Sequence, residues 1–277
     1  MAPFEGRYRE LGYEVVYAVR LAVRESNESG GVAGHSVELM AFDDGGDPAQ
    51  AIEQARKAAV DPLVVGAIGH WLDETTLAAA PAYAAEGIPL LATSSSPDLD
   101  PGVFRLWPTQ AALHAASFGE DVVHCTYPCG ALDDLDWLIA APRERPEERY
   151  FGPPIWGLGQ FQQLAAASAE GVYFVAPAPS PADSSDPGFA ERYRAISNGV
   201  EPRSHAVLAY DAARILLDAI ARDVKANGRP TRQGTAAALA LTDYDGLTGH
   251  ISFDSARNWE SARGWVYRWE QGEIVEP

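Results

Sequence analysis

Residues 66–81 read GAIGHWLDETTLAAAP. The apolar run that leads into it, Leu63–Ile68, has the length of a buried strand, and the alanine-rich stretch that follows has the length of a helix. Between them lie a Gly-His pair and the mixed segment Trp71-Leu72-Asp73-Glu74-Thr75-Thr76. The same unit then repeats: a helix over Thr75–Glu86, a short strand over Ile88–Ala92, and a polar loop, ATSSSPD. Upstream, Val15, Val16, Val19, Ala22 and Val23 recur at helical spacing, and Gly30-Gly31 stops that helix. Ser36–Phe42 reads as a strand closed by the turn DDGGDP, and residues 48–60 as a helix with proline first. Strands alternating with helices imply a parallel sheet covered on both faces.

Further along, the pattern predicts a strand at Val103–Leu106, a helix at Thr109–Phe118, a strand at Asp121–Thr126 and a helix at Leu132–Ala140. Pro142–Gly159 is rich in Pro, Gly and charge and reads as loop. Gln160–Ala167 reads as a helix and Gly171–Ala176 as a strand; helices follow at 189–197, 204–225 and 231–241. The tail, GHISFD and then GWVYRWEQGEIVE, alternates as an antiparallel hairpin does.

In parallel α/β sheets ligands sit beyond the carboxyl ends of strands. Two such loops fall close together here, His70–Thr76 and Ala92–Asp98, and they offer Trp71, Leu72, Asp73, Glu74, Thr75, Thr93, Ser94, Ser95 and Ser96. Hydroxyls beside free amides at a helix start suit a carboxylate or other polar group. The alternative is purely local: Asp73 as a helix cap, Glu74 complementing the helix dipole, serines preceding a proline.

Composition narrows the function classes. The 277 residues carry 21 basic and 39 acidic side chains, a net charge of −18. That balance argues against nucleic acid and anionic membrane surfaces, which recruit Lys and Arg clusters. No segment has the apolar length to cross a bilayer. Cys125 and Cys129, four residues apart without a second pair, fit one local disulfide or two thiols and not a zinc site. No nucleophile elbow, metalloprotease helix, P-loop or dinucleotide fingerprint is present, so no enzymatic reaction, cofactor or metal is expected. His124 and Cys125 are adjacent, and on a strand they would point to opposite faces. The amino-terminal stretch MAPFEGRYRELGYEVV shows no basic segment followed by an apolar one, hence no visible secretion signal.

Several stretches together resemble a known family: RLAVRESNESGGVAGHSVELMAFDDGGDPAQAIEQARK, VVGAIGHWLDETTLAAAPAYAAEGIPLLATSSSPDL, VFRLWPT, then AAASAEGVYFVAPAP, AVLAYDAARILLDAI and LTGHISFD. In order and content they are similar to type I periplasmic binding proteins, in the group of branched-chain amino-acid receptors that feed ABC importers. The resemblance implies two doubly wound α/β lobes joined by a hinge. It places lobe one at residues 1–108 and 202–248, and an abbreviated lobe two at 109–201 and 249–277. It also implies an extracellular or periplasmic protein, lipid-anchored in some members, with an importer permease and a small amino-acid-like ligand as partners. Matched position by position, Trp71–Thr75 and Thr93–Ser96 would serve a ligand α-carboxylate, with Tyr127 and the segment carrying Trp156 facing the ligand from lobe two. Tyr8 and Tyr210 are further candidates.

Two departures from the family qualify the expectation. Asp73 stands where the family has Ser, and Pro154 where it has the acid that holds an ammonium, so a neutral or cationic ligand stacked on Trp71 and Trp156 is expected in place of Leu, Ile or Val. The stretch between WPTQAALHAASFG and DVVHCTYP is also short, and the strand that normally precedes APFEG is missing. An abbreviated second sheet would expose an edge open to a homodimer or an added strand.

Overall fold

The computed structural model describes residues 1–96, 98–100, 102–117, 123–124 and 150–277. Helices α1 (Arg9–Glu28) and α2 (Pro48–Val60) come first, then β1 (Ala67–Ile68), α3 (Asp73–Ala85), β2 (Leu90–Ala92), β3 (Phe104–Arg105) and α4 (Gln110–Ser117). The second half holds β4 (Val123–His124), β5 (Tyr150–Gly152), α5 (Gly159–Ala165), β6 (Tyr173–Ala176), α6 (Phe189–Ile196), α7 (Ser204–Asn227) and α8 (Arg232–Leu239). Strands β7 (Asp243–Gly246), β8 (Gly249–Ser252), β9 (Trp265–Glu270) and β10 (Glu273–Val275) end the chain. The helix expected at Leu132–Ala140 lies outside the described residues, as do Cys125 and Cys129.

Two sheets result. In the first, β1, β2 and β3 run parallel in that order. One face is covered by α2 and α3, where Ala51, Ala55, Ala79 and Ala80 let helix and sheet approach closely around Tyr83 and Leu90. The other face belongs to the main core, where α1 packs along α7. The second sheet has the order β10-β9-β6-β5-β4; β4, β5 and β6 are parallel, and β9 and β10 join antiparallel. Both lobes of the expected α/β architecture are therefore present.

The structure corrects four local expectations. The strand expected over Leu63–Ile68 is only two residues long, and Leu63 is 84% exposed. Ser36–Phe42 forms no strand, although Val37 and Leu39 turn inward while Glu38 and Met40 turn out, the period of an extended chain. Inside the supposed loop Pro142–Gly159, β5 pairs with β6, because Tyr150 and Phe151 are buried against the core. The carboxyl-terminal region forms two hairpins, β7–β8 and β9–β10, and not one.

Several contacts join segments on either side of the expected lobe boundaries. Helix α6, expected in lobe two, packs on α1: Tyr193 donates to the Glu14 carbonyl at 3.0 Å, and the Arg192 guanidinium contacts Glu25 at 2.8 Å. Ser185 donates to the Gly246 carbonyl at 2.9 Å. At the other end, β8 stays with β7 and Phe253 meets Phe104 edge-on, while β9 is the next segment in the second sheet.

Glu14 is buried beneath this junction and accepts a 2.9 Å hydrogen bond from the Ala206 amide. Burial pushes its carboxyl from 4.5 up to about 7, against the pull of Arg203. A carboxyl raised in the folded state favours folding below its unfolded value, and that benefit is lost as pH rises through the folded value. Glu14→Gln keeps an acceptor for Ala206 and removes the buried charge. Its thermal stability should match the parent below pH 4.5 and exceed it above pH 7 by about 3 kcal/mol, read from melting curves across pH.

Candidate functional site

Strands β1, β2 and β3 all deliver their carboxyl ends to one edge, and the loops that follow meet there. Helix α3 begins at Asp73, whose carboxylate does not cap its own helix. It reaches across instead: one oxygen accepts the Ser95 amide at 2.8 Å and the other accepts the Ser95 hydroxyl at 2.8 Å. This is a two-point clamp between the loops, made of charge-assisted bonds.

A buried cation lies beneath the clamp. Arg105 donates through Nη1 to the carbonyls of Ser94 and Ser96, at 3.1 and 2.7 Å, and through Nε to Asn258 at 3.0 Å. Burial lowers the pKa of its guanidinium, and the charge of Asp73 opposes that shift. Sequence reading missed Arg105 because VFRLW passes for a simple strand; the only signal was a cation inside an apolar run. Asn258 comes from the segment after β8, so the β7–β8 hairpin supports the site floor from the far end of the chain.

The remaining loop hydroxyls are turned inward. Thr75 donates to the Leu72 carbonyl, Thr76 to the His70 and Leu72 carbonyls, and Thr93 to the His70 carbonyl at 2.5 Å. Ser94 Oγ accepts from the Ser96 amide and Ser96 Oγ from the Asp98 amide. Thr75, Thr93, Ser94 and Ser96 are all buried. His70 is buried as well: Nδ1 contacts Asp44 at 2.6 Å and Nε2 contacts the Tyr83 hydroxyl at 3.2 Å. Desolvation holds its pKa low, against the pull of Asp44. This arrangement suits a core hydrogen-bonder.

Of the candidate residues, Leu72, Asp73, Glu74 and Ser95 keep accessible surface at the loop tips. Tyr8 belongs with them, since its ring and the Leu72 methyl both lie against Gly46. Tyr127 lies outside the described residues. Tyr210 does not join the group: its hydroxyl donates to Glu25 at 2.5 Å and its ring meets Phe189 edge-on, tying α7 to α1 and α6.

Neither tryptophan offers a stacking face. Trp71 is 5% exposed and meets Trp107 edge-on. Trp156 is 1% exposed, stacks on Phe161 at 4.9 Å, and its carbonyl accepts from the Trp269 indole. Apolar burial outweighs display for such large rings. Gly152 makes room for the second: a Cβ there would come within 1.9 Å of the Trp156 ring. Gly152→Ala should therefore lower the melting temperature, at a cost of about 2 kcal/mol by overpacking, with the loss visible in tryptophan fluorescence on thermal unfolding.

The comparisons with known proteins agree with this architecture. The model of the family described as periplasmic binding protein matches residues 1–124 and 151–273. The chain belongs to the periplasmic binding protein family. The fold superposes on the branched-chain amino-acid substrate-binding protein LivJ of Streptococcus pneumoniae, solved with isoleucine, at a TM-score of 0.80. That match covers 100% of this chain and 98% of the other at 21% identity, and it establishes the type I fold. Leu/Ile/Val-binding protein homolog 2 of Brucella abortus strain 2308 is 32% identical over 95 residues, 34% of this chain and 25% of that protein. The aligned part thus spans about a quarter of that relative. A leucine-, isoleucine-, valine-, threonine- and alanine-binding protein of Pseudomonas aeruginosa is 21% identical over 97% of this chain and 88% of its own length. Among the described residues of this periplasmic binding protein, no helix is long and apolar enough to cross a membrane.

Proposed function

We propose that this protein is the extracytoplasmic solute receptor of an ABC importer and that its ligand lacks a carboxylate at the Asp73–Ser95 position. The observation that carries the reading is the clamp itself: the Ser95 amide and hydroxyl that would greet a ligand carboxylate already bind Asp73. A ligand carboxylate would have to displace Asp73 and then lie beside its charge. A ligand that presents an ammonium, an amide or a hydroxyl to Asp73 meets a ready acceptor instead. Leu72, Glu74 and Tyr8 flank that position, and Glu74 reinforces the preference for a neutral or cationic group. Amino-acid relatives such as amides and amines are the fitting class, and an importer permease is the corresponding partner.

A second reading rests on the inward hydroxyls and the buried Trp71 and Trp156: a sensor or interaction domain on the same scaffold with no small ligand. A thermal-shift panel separates the two, because binding to the folded state alone raises the melting temperature by mass action. The receptor reading expects at least one neutral or cationic amide or amine at millimolar concentration to raise it by several degrees. No shift across amino acids, amides, polyamines and aromatic acids would leave the second reading standing.

A further inference from the structure

The Ser95 amide belongs to the same peptide unit as the Ser94 carbonyl. A trans peptide is planar, and its carbonyl and amide point in opposite directions. The Ser94 carbonyl accepts from Arg105 Nη1 at 3.1 Å on one side, so the Ser95 amide is aimed at Asp73 on the other, at 2.8 Å. The same guanidinium nitrogen holds the Ser96 carbonyl at 2.7 Å, and the two bonds bracket Ser95 from beneath. Hydrogen bonds in series polarise one another, and charged ends strengthen them further. Here the series runs from a guanidinium, through one peptide, to a carboxylate. Arg105 is 6% exposed and forms no ion pair among the described residues, yet the charge of Asp73 acts on it. Its position is set from the far end of the chain. The Arg105 amide donates to the Arg257 carbonyl at 2.8 Å, the Trp259 amide donates to the Arg105 carbonyl at 3.1 Å, and Asn258 accepts from Nε between them. Asp254 closes that turn by accepting the Ala256 and Asn258 amides. Backbone pairing thus fixes the cation independently of the loop it serves.

Building on the ligand position proposed above, we infer that Arg105 is a positioning residue that determines the charge preference of the site: through the Ser94–Ser95 peptide it aims and polarises the Ser95 amide, and so makes an anion receptor that Asp73 fills from within. A buried cation without an ion pair is costly, and the peptide hands its charge on to the one carboxylate that reaches the loop. With both residues present, the two charges offset and the ligand meets the acceptor face of Asp73. With Asp73 removed, the field of Arg105 emerges through the Ser95 amide and draws a carboxylate. With both charges removed, the amide remains and discriminates little between an acid and its amide. The preference belongs to the pair, and Asp73 alone does not carry it.

The test uses the full chain as parent, Asp73→Ser, Arg105→Gln, Arg105→Lys, and Asp73→Ser combined with each Arg105 change. Glutamine keeps an amide donor for the two carbonyls, and lysine keeps the charge. Without ligand, melting temperatures close a double-mutant cycle. Arg105→Gln should cost less in the Asp73→Ser background than in the parent, by about 2 °C or more, because the charge it removes has already lost its partner. With ligand, calorimetry gives the ratio of leucine to leucinamide affinity. In the Asp73→Ser background Arg105→Gln should cut that ratio at least about fivefold, whereas Arg105→Lys should hold it within about twofold. A loop that merely loosened would weaken both ligands together and leave the ratio alone. If Arg105→Gln does not fold, Asn258→Asp replaces it in both measurements, since that change keeps the acceptor on Nε and offsets the guanidinium charge. An additive cycle, an unchanged ratio, or a lysine variant that behaves like glutamine would each overturn the proposal. Binding of neither ligand by any variant would contradict the receptor reading, and the cycle would then decide the role of Arg105 by itself.

Discussion

Asp73→Ser should raise affinity for a free amino acid such as leucine by roughly 10- to 100-fold. The substitution leaves the Ser95 amide and hydroxyl, each held at 2.8 Å by the aspartate, free to bind a ligand carboxylate. A hydrogen bond to a charged group contributes about 1.5–3 kcal/mol, which is that range in a dissociation constant. Loss of the adjacent negative charge acts in the same direction, and it also removes an electrostatic partner of Arg105. The fold should survive, because the serine can still reach the helix start and Arg105 keeps its bonds to Ser94, Ser96 and Asn258. Isothermal calorimetry on parent and variant reads the change directly. A leucine affinity identical in the two proteins would mean that Asp73 does not govern the carboxylate position.

Asp211→Ala should be the most damaging single substitution for stability. Asp211 is fully buried on α7 and gathers the turn of the β7–β8 hairpin: the Leu247 amide at 2.9 Å, the Thr248 amide at 2.8 Å and the Thr248 hydroxyl at 2.7 Å. Removing the carboxylate strands two buried amides, each costing about 1–3 kcal/mol, so the total is about 3–5 kcal/mol. For a chain of this size that is a fall of roughly 10 °C in melting temperature. Burial raises the Asp211 carboxyl to about 6 even though these hydrogen bonds oppose the shift. Its contribution therefore declines as pH rises from 3.8 through 6, and the deficit of the variant should be larger at pH 4 than at pH 8. A fall of under 2 °C at both pH values would show that the hairpin is held by other contacts. The consequence reaches the site as well, since the same hairpin leads to Asn258 under Arg105.

Much of this was legible in the chain. Helix α2 falls at residues 48–60 as expected, because Asp47 accepts from the Gln50 amide and Pro48 opens the first turn, both local signals. The site loops also meet where the strand-to-helix pattern puts them, since parallel strands send their carboxyl ends to one edge. What escaped was decided by contacts distant in sequence. Leu63–Val65 looks like a buried strand but joins no ladder among the described residues, and Tyr150–Gly152 sits in a Pro-rich stretch yet pairs with β6. Trp156 looks like a ligand platform, and the absence of a side chain at Gly152 instead draws it into the core. The position of α6 depends on Tyr193 and Arg192 meeting α1 more than 160 residues away in sequence.

The central claim is that the donors of Ser95 are reserved for Asp73, and it is tested most directly by titrating the parent protein with L-leucine and with L-leucinamide under the same calorimetric conditions. The two ligands share side chain and ammonium and differ only in the carboxylate. The account predicts that the amide binds more tightly than the acid in the parent and that Asp73→Ser reverses the order. Tighter binding of leucine than of leucinamide by the parent, with the order unchanged in the variant, would contradict it.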